Sequence, residues 1–499
     1  MKKLITLFLC TSLLLCGCEK VQNFYSDVSS FDEEQSLWDK LSATYNLTKK
    51  DYKCFHSGDA KSCNKLGDIY SHVVKNEVNE EMYFMESCSL DNAVGCRNLA
   101  FLYEPQTKNE NNLKYHIYLS KACDLNDGRS CEYLAKEYSD GISKDLAKSF
   151  ELYQKACSLK NRRACSKLGT YYVEGLGVNK NIEKGIELYT QSCEANDSKG
   201  CLELGKLYYT DAVIPHDYKK SFSYLKKSCS HANGMGCYLA AIQLTFRFGV
   251  EPSAEESESN YYEKACTFGV GSACLTIAKM YENGTNEVLE SQEKASKFYE
   301  LGCIHGAGDG CFIYGYKLNK GIGVKKDYKE SLKYYKIGCD KNNAASCTAL
   351  AAYYIGDSSL NIDFQTVNEL YEKACSLDDP VACGQLGNIY YTGYYGKQDY
   401  FKAFKYTEKA CSLDSGESCS KIGYLYQDGK GVRKREDLSI KYLKKGCDLK
   451  DPHGCNSLGL EYEFGANVKK NVKKAKELYG KACDLGLQTG CERFAEINK

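Results

Sequence analysis

Ser62 and Lys65, Ser223 and Lys226, and Ser291 and Lys294 are S-x-x-K matches. At that spacing on a helix a lysine amine can take the serine proton and leave a nucleophile for acyl transfer. Enzymes built this way complete the site with S-D-N and K-T-G motifs. The chain contains neither triplet, so no nucleophile, base and orienting partner can be assembled and no catalytic residue is assigned. Seven histidines, at 56, 72, 116, 216, 231, 305 and 453, are scattered, and none stands in H-E-x-x-H. There is no C-x-x-C for zinc or redox work and no C-x-x-C-H for haem. Gly-x-Gly recurs at 175–177, 321–323 and 429–431, yet no G-K-[ST] follows. It reads as turn chemistry rather than a phosphate cradle. No metal and no cofactor is expected.

Cysteine is the residue with a pattern. Of 29 cysteines, 26 fall into thirteen local pairs. They are Cys54 with Cys63, Cys88 with Cys96, Cys123 with Cys131, Cys157 with Cys165, Cys193 with Cys201, Cys229 with Cys237 and Cys266 with Cys274. Further along come Cys303 with Cys311, Cys339 with Cys347, Cys375 with Cys383, Cys411 with Cys419, Cys447 with Cys455 and Cys483 with Cys491. The first pair is separated by nine positions and every other by eight. A disulfide needs Cα atoms about 4.4–6.8 Å apart. Eight residues of helix span roughly 12 Å, and of strand roughly 27 Å. Bonded pairs therefore require a chain reversal. The intervening residues suit one: SLKNRRA (158–164), DLNDGRS (124–130), SLDSGES (412–418) and DLKDPHG (448–454) are rich in turn formers. The same cysteines could instead hold metal, but local pairing in an oxidising space is preferred. In the chain-entropy model each small loop is worth about 2.6 kcal/mol as an upper figure.

Other residues keep time with the cysteines, whose leading members recur every 34 to 37 positions. Three and four positions after the second cysteine stand a larger apolar residue and then Gly or Ala, as in Leu168-Gly169, Leu204-Gly205, Ile277-Ala278 and Leu386-Gly387. Position seven is mostly tyrosine: Tyr70, Tyr103, Tyr138, Tyr172, Tyr208, Tyr281, Tyr354, Tyr390, Tyr426 and Tyr462. Offsets of 0, 3, 4 and 7 draw one face of a helix, and the small residue admits a close neighbour. We expect the phased tyrosines to be core. A Gly-containing loop follows, then a second amphipathic helix that ends at the next cysteine, as in KSFELYQKAC and KAKELYGKAC. A helical pair of this kind exposes an apolar face that only stacking can bury.

These residues resemble the Sel1-like repeat, a relative of the tetratricopeptide repeat, and AC-x7-C matches its branch of Helicobacter cysteine-rich proteins. The resemblance spans residues 51–499 and departs from pattern at DAVIPHD (211–217) and FRFGVEPSAEES (246–257). It implies an all-α, right-handed αα-solenoid of twelve to thirteen disulfide-stapled hairpins. It also implies a concave groove, lined by the first helices, that takes a peptide or a partner protein. Members of that branch carry a β-lactamase or penicillin-binding label, so a hydrolase or binder of β-lactams or cell-wall peptides is the alternative. A secreted factor that engages host proteins is a third reading.

Sixty-six basic and sixty-six acidic residues cancel, which offers no positive field for nucleic acid. The start, MKKLITLFLCTSLLLCGC, has a basic end and a short apolar run and reads as an export signal over 1–17. Leu15-Cys16-Gly17-Cys18 resembles a bacterial lipobox, with Cys18 the lipidated first residue of the mature chain. Cys10 and Cys16 then leave with the signal, and thirteen pairs remain with none left over. Residues 18–50 would be a tether with a capping helix near Trp38. By resemblance Glu19 leans toward the outer membrane. The expected location is a cell envelope, outer-membrane or periplasm-facing, with secretion as the alternative; the chain is expected to act as a monomer.

Forty-two tyrosines are many for one chain. Neighbours on a helix point about 100° apart, so the out-of-phase members of Tyr-Tyr pairs cannot share one seam. Tyr171 and Tyr353 at position six, and Tyr209 and Tyr391 at position eight, are therefore candidates to face a ligand.

Overall fold

In a computed structural model of the chain, residues 53–497 are described apart from 55–56, 75–76, 105–112, 142–143, 211–213, 253–255, 286, 357–362 and 394–396. The expected signal (1–17), Cys18 and the 18–50 tether lie outside the described residues. Twenty-five α-helices follow one another along the described chain, with no strand among them. The chain forms two compact units, one ending at Ala195 and the other beginning at Asn196.

One repeat in the first unit explains the rest. Its first helix, Arg162–Glu174, starts where Asn161 turns extended and its side-chain oxygen accepts from the Arg163 and Ala164 N–H groups, which satisfies donors the helix itself cannot. The helix stops at Gly175, whose left-handed φ of 75° returns its N–H to the Tyr171 carbonyl. The Asn181 N–H then donates to the carbonyl of Tyr172, at position seven, over 2.8 Å. Asn181 in turn caps the second helix, Ile182–Glu194, by accepting from the Lys184 N–H. The position-seven carbonyl takes the same bond at Tyr208, Tyr390 and Tyr462 in the second unit.

The small residue at position four is a contact requirement. A Cβ on Gly169 would stand 2.8 Å from the ring of Tyr189 on the second helix, and one on Gly459 2.6 Å from Tyr479. The Leu or Ile one position earlier is buried throughout: Leu66, Leu99, Leu168, Leu204, Ile277, Leu386 and Ile422 are at most 4% exposed. Gly323, the second glycine of a Gly-x-Gly loop, has φ of 66°. A Cβ there would overlap the Gln292 carbonyl at the start of the preceding repeat's second helix. The glycine serves a left-handed turn and a close backbone approach.

The staples are equally regular. In the first unit Cys54 is bonded to Cys63, Cys88 to Cys96, Cys123 to Cys131 and Cys157 to Cys165. In the second, Cys229 is bonded to Cys237, Cys266 to Cys274, Cys303 to Cys311 and Cys339 to Cys347. Cys375 is bonded to Cys383, Cys411 to Cys419, Cys447 to Cys455 and Cys483 to Cys491. In these twelve bonds the Cα atoms lie 4.4 to 4.8 Å apart, the separation that a chain reversal was expected to produce. Cys193 in the first unit and Cys201 in the second are each disulfide-bonded as well. Each described staple after the first joins the end of a second helix to the first turn of the next first helix. Three positions after the leading cysteine the chain goes left-handed, at Asp91, Asn126, Lys160, Asn342, Asp378, Asp414 and Lys450. An Asn, Asp or Ser then caps the next helix, as Asn92, Asp127, Asn233, Asp379 and Ser415 do.

One expectation is corrected. Of the phased tyrosines only Tyr70 and Tyr281 are buried; the other eight are half-buried. Position seven falls on the last turn of the first helix, beside the loop, where the neighbouring helix covers only one face of the ring.

Candidate functional site

None of the S-x-x-K matches forms a nucleophile and base. The Ser62 hydroxyl donates to Asp59 at 2.5 Å, while Lys65 is exposed. Lys226 is paired with Glu256. Ser291 is an N-cap that accepts from the Lys294 N–H, and the Lys294 amine sits 4.8 Å over the Tyr281 ring. A fourth match, Ser418 and Lys421, went unread in the sequence; there the Ser415 hydroxyl donates to Ser418 and Lys421 donates to Asn388 at 2.9 Å. Among the described residues no hydrogen bond joins the serine and lysine side chains of any pair, and no group of three or more His, Cys, Asp and Glu is placed to hold a metal.

The four candidate tyrosines separate. Tyr171 is 4% exposed and cannot face a ligand. Its hydroxyl lies 2.6 Å from Ser149 on the preceding repeat's second helix. At the same offset Gln243 and Lys317 are also buried, and they donate to the Tyr218 carbonyl and to Gln292 Oε1 on the preceding second helix. Tyr353 and Tyr209 are half-buried, with the Tyr209 ring edge-on to Tyr218 and Phe248. Burial raises the Tyr209 pKa. Tyr391 is 36% exposed and accepts from Lys430 at 2.9 Å.

Two recurrent devices were not read from the sequence. The phased tyrosine stacks on an aromatic of its second helix: Tyr208 on Tyr224, Tyr281 on Phe298, Tyr390 on Tyr406 and Tyr426 on Tyr442. A lysine from that helix's first turn covers the ring, with Lys220 over Tyr208, Lys402 over Tyr390 and Lys474 over Tyr462. Burial, with the Glu372 carboxylate beside it, pushes Tyr406 up to about 12. The second device is the lysine of K-A-C or K-G-C. Lys373, Lys409 and Lys445 each donate to the carbonyl of the preceding leading cysteine, Cys339, Cys375 and Cys411. Lys409 and Lys445 also pair with the left-handed aspartates Asp378 and Asp414. The signal was present as a fixed spacing, but its target lies a whole repeat upstream.

The face of the first helices is the candidate site. Side chains there bridge successive repeats: Asn98 donates to Asn64 and Asp68, Thr348 to Asp379, and Tyr424 lies 2.8 Å from Ser457. In the second unit this face opens a pocket of about 240 Å³ lined by Gly387, Asn388, Tyr391, Thr407, Lys421, Tyr424 and Leu425. It holds two tyrosines and an amine beside an aliphatic floor, suited to an apolar side chain flanked by hydrogen-bonding backbone.

Adjacent helical hairpins with a fixed period, stitched by local disulfides, define an αα-repeat protein. The family model described as Sel1 repeat matches residues 128–161, 162–197, 198–233, 271–306, 308–343, 344–379, 380–415, 416–451 and 452–487, and the chain belongs to that family. The boundaries place each described staple within this span across a junction between repeats. A crystal structure of c5321, a protective antigen of uropathogenic Escherichia coli strains with an SLR fold, is 20% identical with a TM-score of 0.59, over 84% of this chain and 90% of that one. Cysteine rich protein B of Helicobacter pylori is 36% identical over 27% of this chain and 97% of its own, with a TM-score of 0.23. A Sel1 repeat protein from Oxalobacter formigenes is 20% identical over 69% and 90%, with a TM-score of 0.39. No curated protein sequence matches significantly.

Proposed function

We propose that the chain is a non-enzymatic scaffold of the cell envelope, anchored by lipid on Cys18, whose first-helix face holds an extended peptide or a partner protein. The observation that carries this reading is the pocket between two successive first helices at Tyr391 and Tyr424, with Gly387, Thr407 and Leu425 in its lining. The test is photo-crosslinking from a benzophenone side chain at position 391 in cells that export the chain. A discrete adduct that is lost when the probe sits at Lys444, exposed on the second helix Glu436–Asp448, is expected; no adduct, or the same adducts from both sites, overturns the reading. Purified oxidised protein should neither turn over a chromogenic β-lactam nor gain an acyl mass. A stoichiometric adduct would move the function to hydrolysis.

The anchor rests on the lipobox-like Leu15–Cys18 and on the disulfides, which fit an oxidising compartment. No helix among the described residues is long and apolar enough to cross a membrane. Cys18→Ser is expected to move the protein from the membrane pellet to the soluble fraction, read by fractionation. Unchanged pelleting would remove the anchor from the model.

A further inference from the structure

Arginine is scarce in this chain, with eight against fifty-eight lysines. Four of the eight, Arg97, Arg129, Arg162 and Arg163, line one cleft of about 800 Å³ in the first unit, with Lys160, Tyr133 and the carboxylates Asp127 and Glu132. Both carboxylates are already engaged. Arg97 Nη1 donates to the two Asp127 oxygens at 2.9 and 3.0 Å, and Asn161 donates to Glu132 at 2.7 Å. Arg162 donates to the Ala195 carbonyl at 3.2 Å. Arg129, Lys160 and Arg163 are exposed and, among the described residues, have no ion-pair partner. Cationic charge on the cleft wall is left uncompensated in a chain that is otherwise balanced.

The scaffold does not require these residues. Arg162 and Arg163 occupy the first two positions of a first helix, where other repeats carry Pro380-Val381, Gly416-Glu417, Gly308-Asp309 and Ala344-Ala345. Lys160 holds the left-handed turn position that is Asp91, Asp378 and Asp414 elsewhere. There the aspartate meets the K-A-C or K-G-C lysine of the next repeat, and at 191 that lysine is replaced by Gln191. Positions the fold leaves open have thus gathered positive charge in one place.

We infer that this cleft is a binding site for an acidic segment of a partner protein, an extended peptide whose Asp and Glu carboxylates engage the Arg129 and Arg163 guanidiniums. Guanidinium takes carboxylates through paired, in-plane N–H bonds that an ammonium cannot offer. The exposed ring of Tyr133, 39% accessible, and the half-buried Leu159 beside it supply apolar contact for peptide between the charges. The absence of net positive charge on the chain argues against a long polyanion, whose capture depends on a wider field.

The inference rests on the scaffold reading and names the chemistry of a partner. Its test is selection of short random peptides displayed on phage against the full oxidised chain, followed by titration of the enriched peptides. Asp- and Glu-rich sequences are expected. Their affinity should fall about tenfold or more when Arg129→Gln and Arg163→Gln are combined, fall less with Arg129→Lys and Arg163→Lys, and stay unchanged with Arg433→Gln and Arg435→Gln. Thermal melts of each variant separate lost binding from lost folding. Enriched peptides without acidic residues, or acidic ones that the variants at Arg129 and Arg163 still bind, overturn the cleft and leave the scaffold standing. No enrichment with any form overturns both.

Discussion

Lys409 shows how much a single side chain carries in a repeat of this kind. Its amine neutralises the C-terminal end of the preceding second helix through the Cys375 carbonyl and pairs with Asp378. The partial negative charge at a helix end favours a cation there. Lys409→Met keeps the aliphatic stem and is expected to cost about 1 kcal/mol, read as a lowered denaturant midpoint with unchanged slope. Residue-level reading of the sequence found the buried Leu or Ile at position three because it stands at one fixed offset from the cysteines in repeat after repeat. It misjudged Tyr171, whose neighbour Ser149 belongs to the preceding one. Helical offsets predict a face, and they do not say which of two adjacent helices that face meets.

At the scale of the elements, the seam between repeats is where polar groups replace apolar packing. Lys317 is 2% exposed, and its amine reaches Glu282 at 2.7 Å and Gln292 at 2.9 Å, while Tyr299 donates to the same carboxylate. Burial raises the Glu282 pKa, but the hydrogen bonds from Lys317 and Tyr299 outweigh it and the net shift is downward. A carboxylate depressed in the folded state stabilises it above the ordinary carboxylate range, and that contribution is lost as pH falls through the lowered value. The stability gap between wild type and Glu282→Gln, measured in urea across acidic pH, should therefore close below about pH 4. A gap that is independent of pH would remove ionisation from the account. Gly323→Ala probes the loop side of the same seam. It forces a Cβ into the Gln292 carbonyl at a left-handed φ and should cost about 1–3 kcal/mol in the same assay. The Gly-x-Gly loops were legible as turns. Their abutment on the previous repeat was not, since nothing local in GIGVKK refers to Gln292.

For the whole molecule, the legible part was the period. Cysteine, Leu-Gly and tyrosine in phase are enough to specify helix, turn and stacking, because each repeat meets the same neighbours. Recognition is written at positions that break the period, and Arg162, Arg163 and Gln191 became informative only once the structure showed which offsets the fold leaves free. Denatured, unreduced protein should show no free thiol to an alkylating agent after export, by intact mass; two or more labelled cysteines would break the account of thirteen staples.

Because each described staple from Cys88 and Cys96 onward crosses a junction, one module of about 36 residues starts with the closing half of one bond and ends with the opening half of the next. Its cysteines never belong to each other. In-frame gain or loss of one such module, at any crossover point inside the array, leaves every remaining cysteine opposite a partner eight positions away. The gene can lengthen or shorten the array by recombination without creating an orphan thiol, so its length is free to vary while its redox chemistry stays closed.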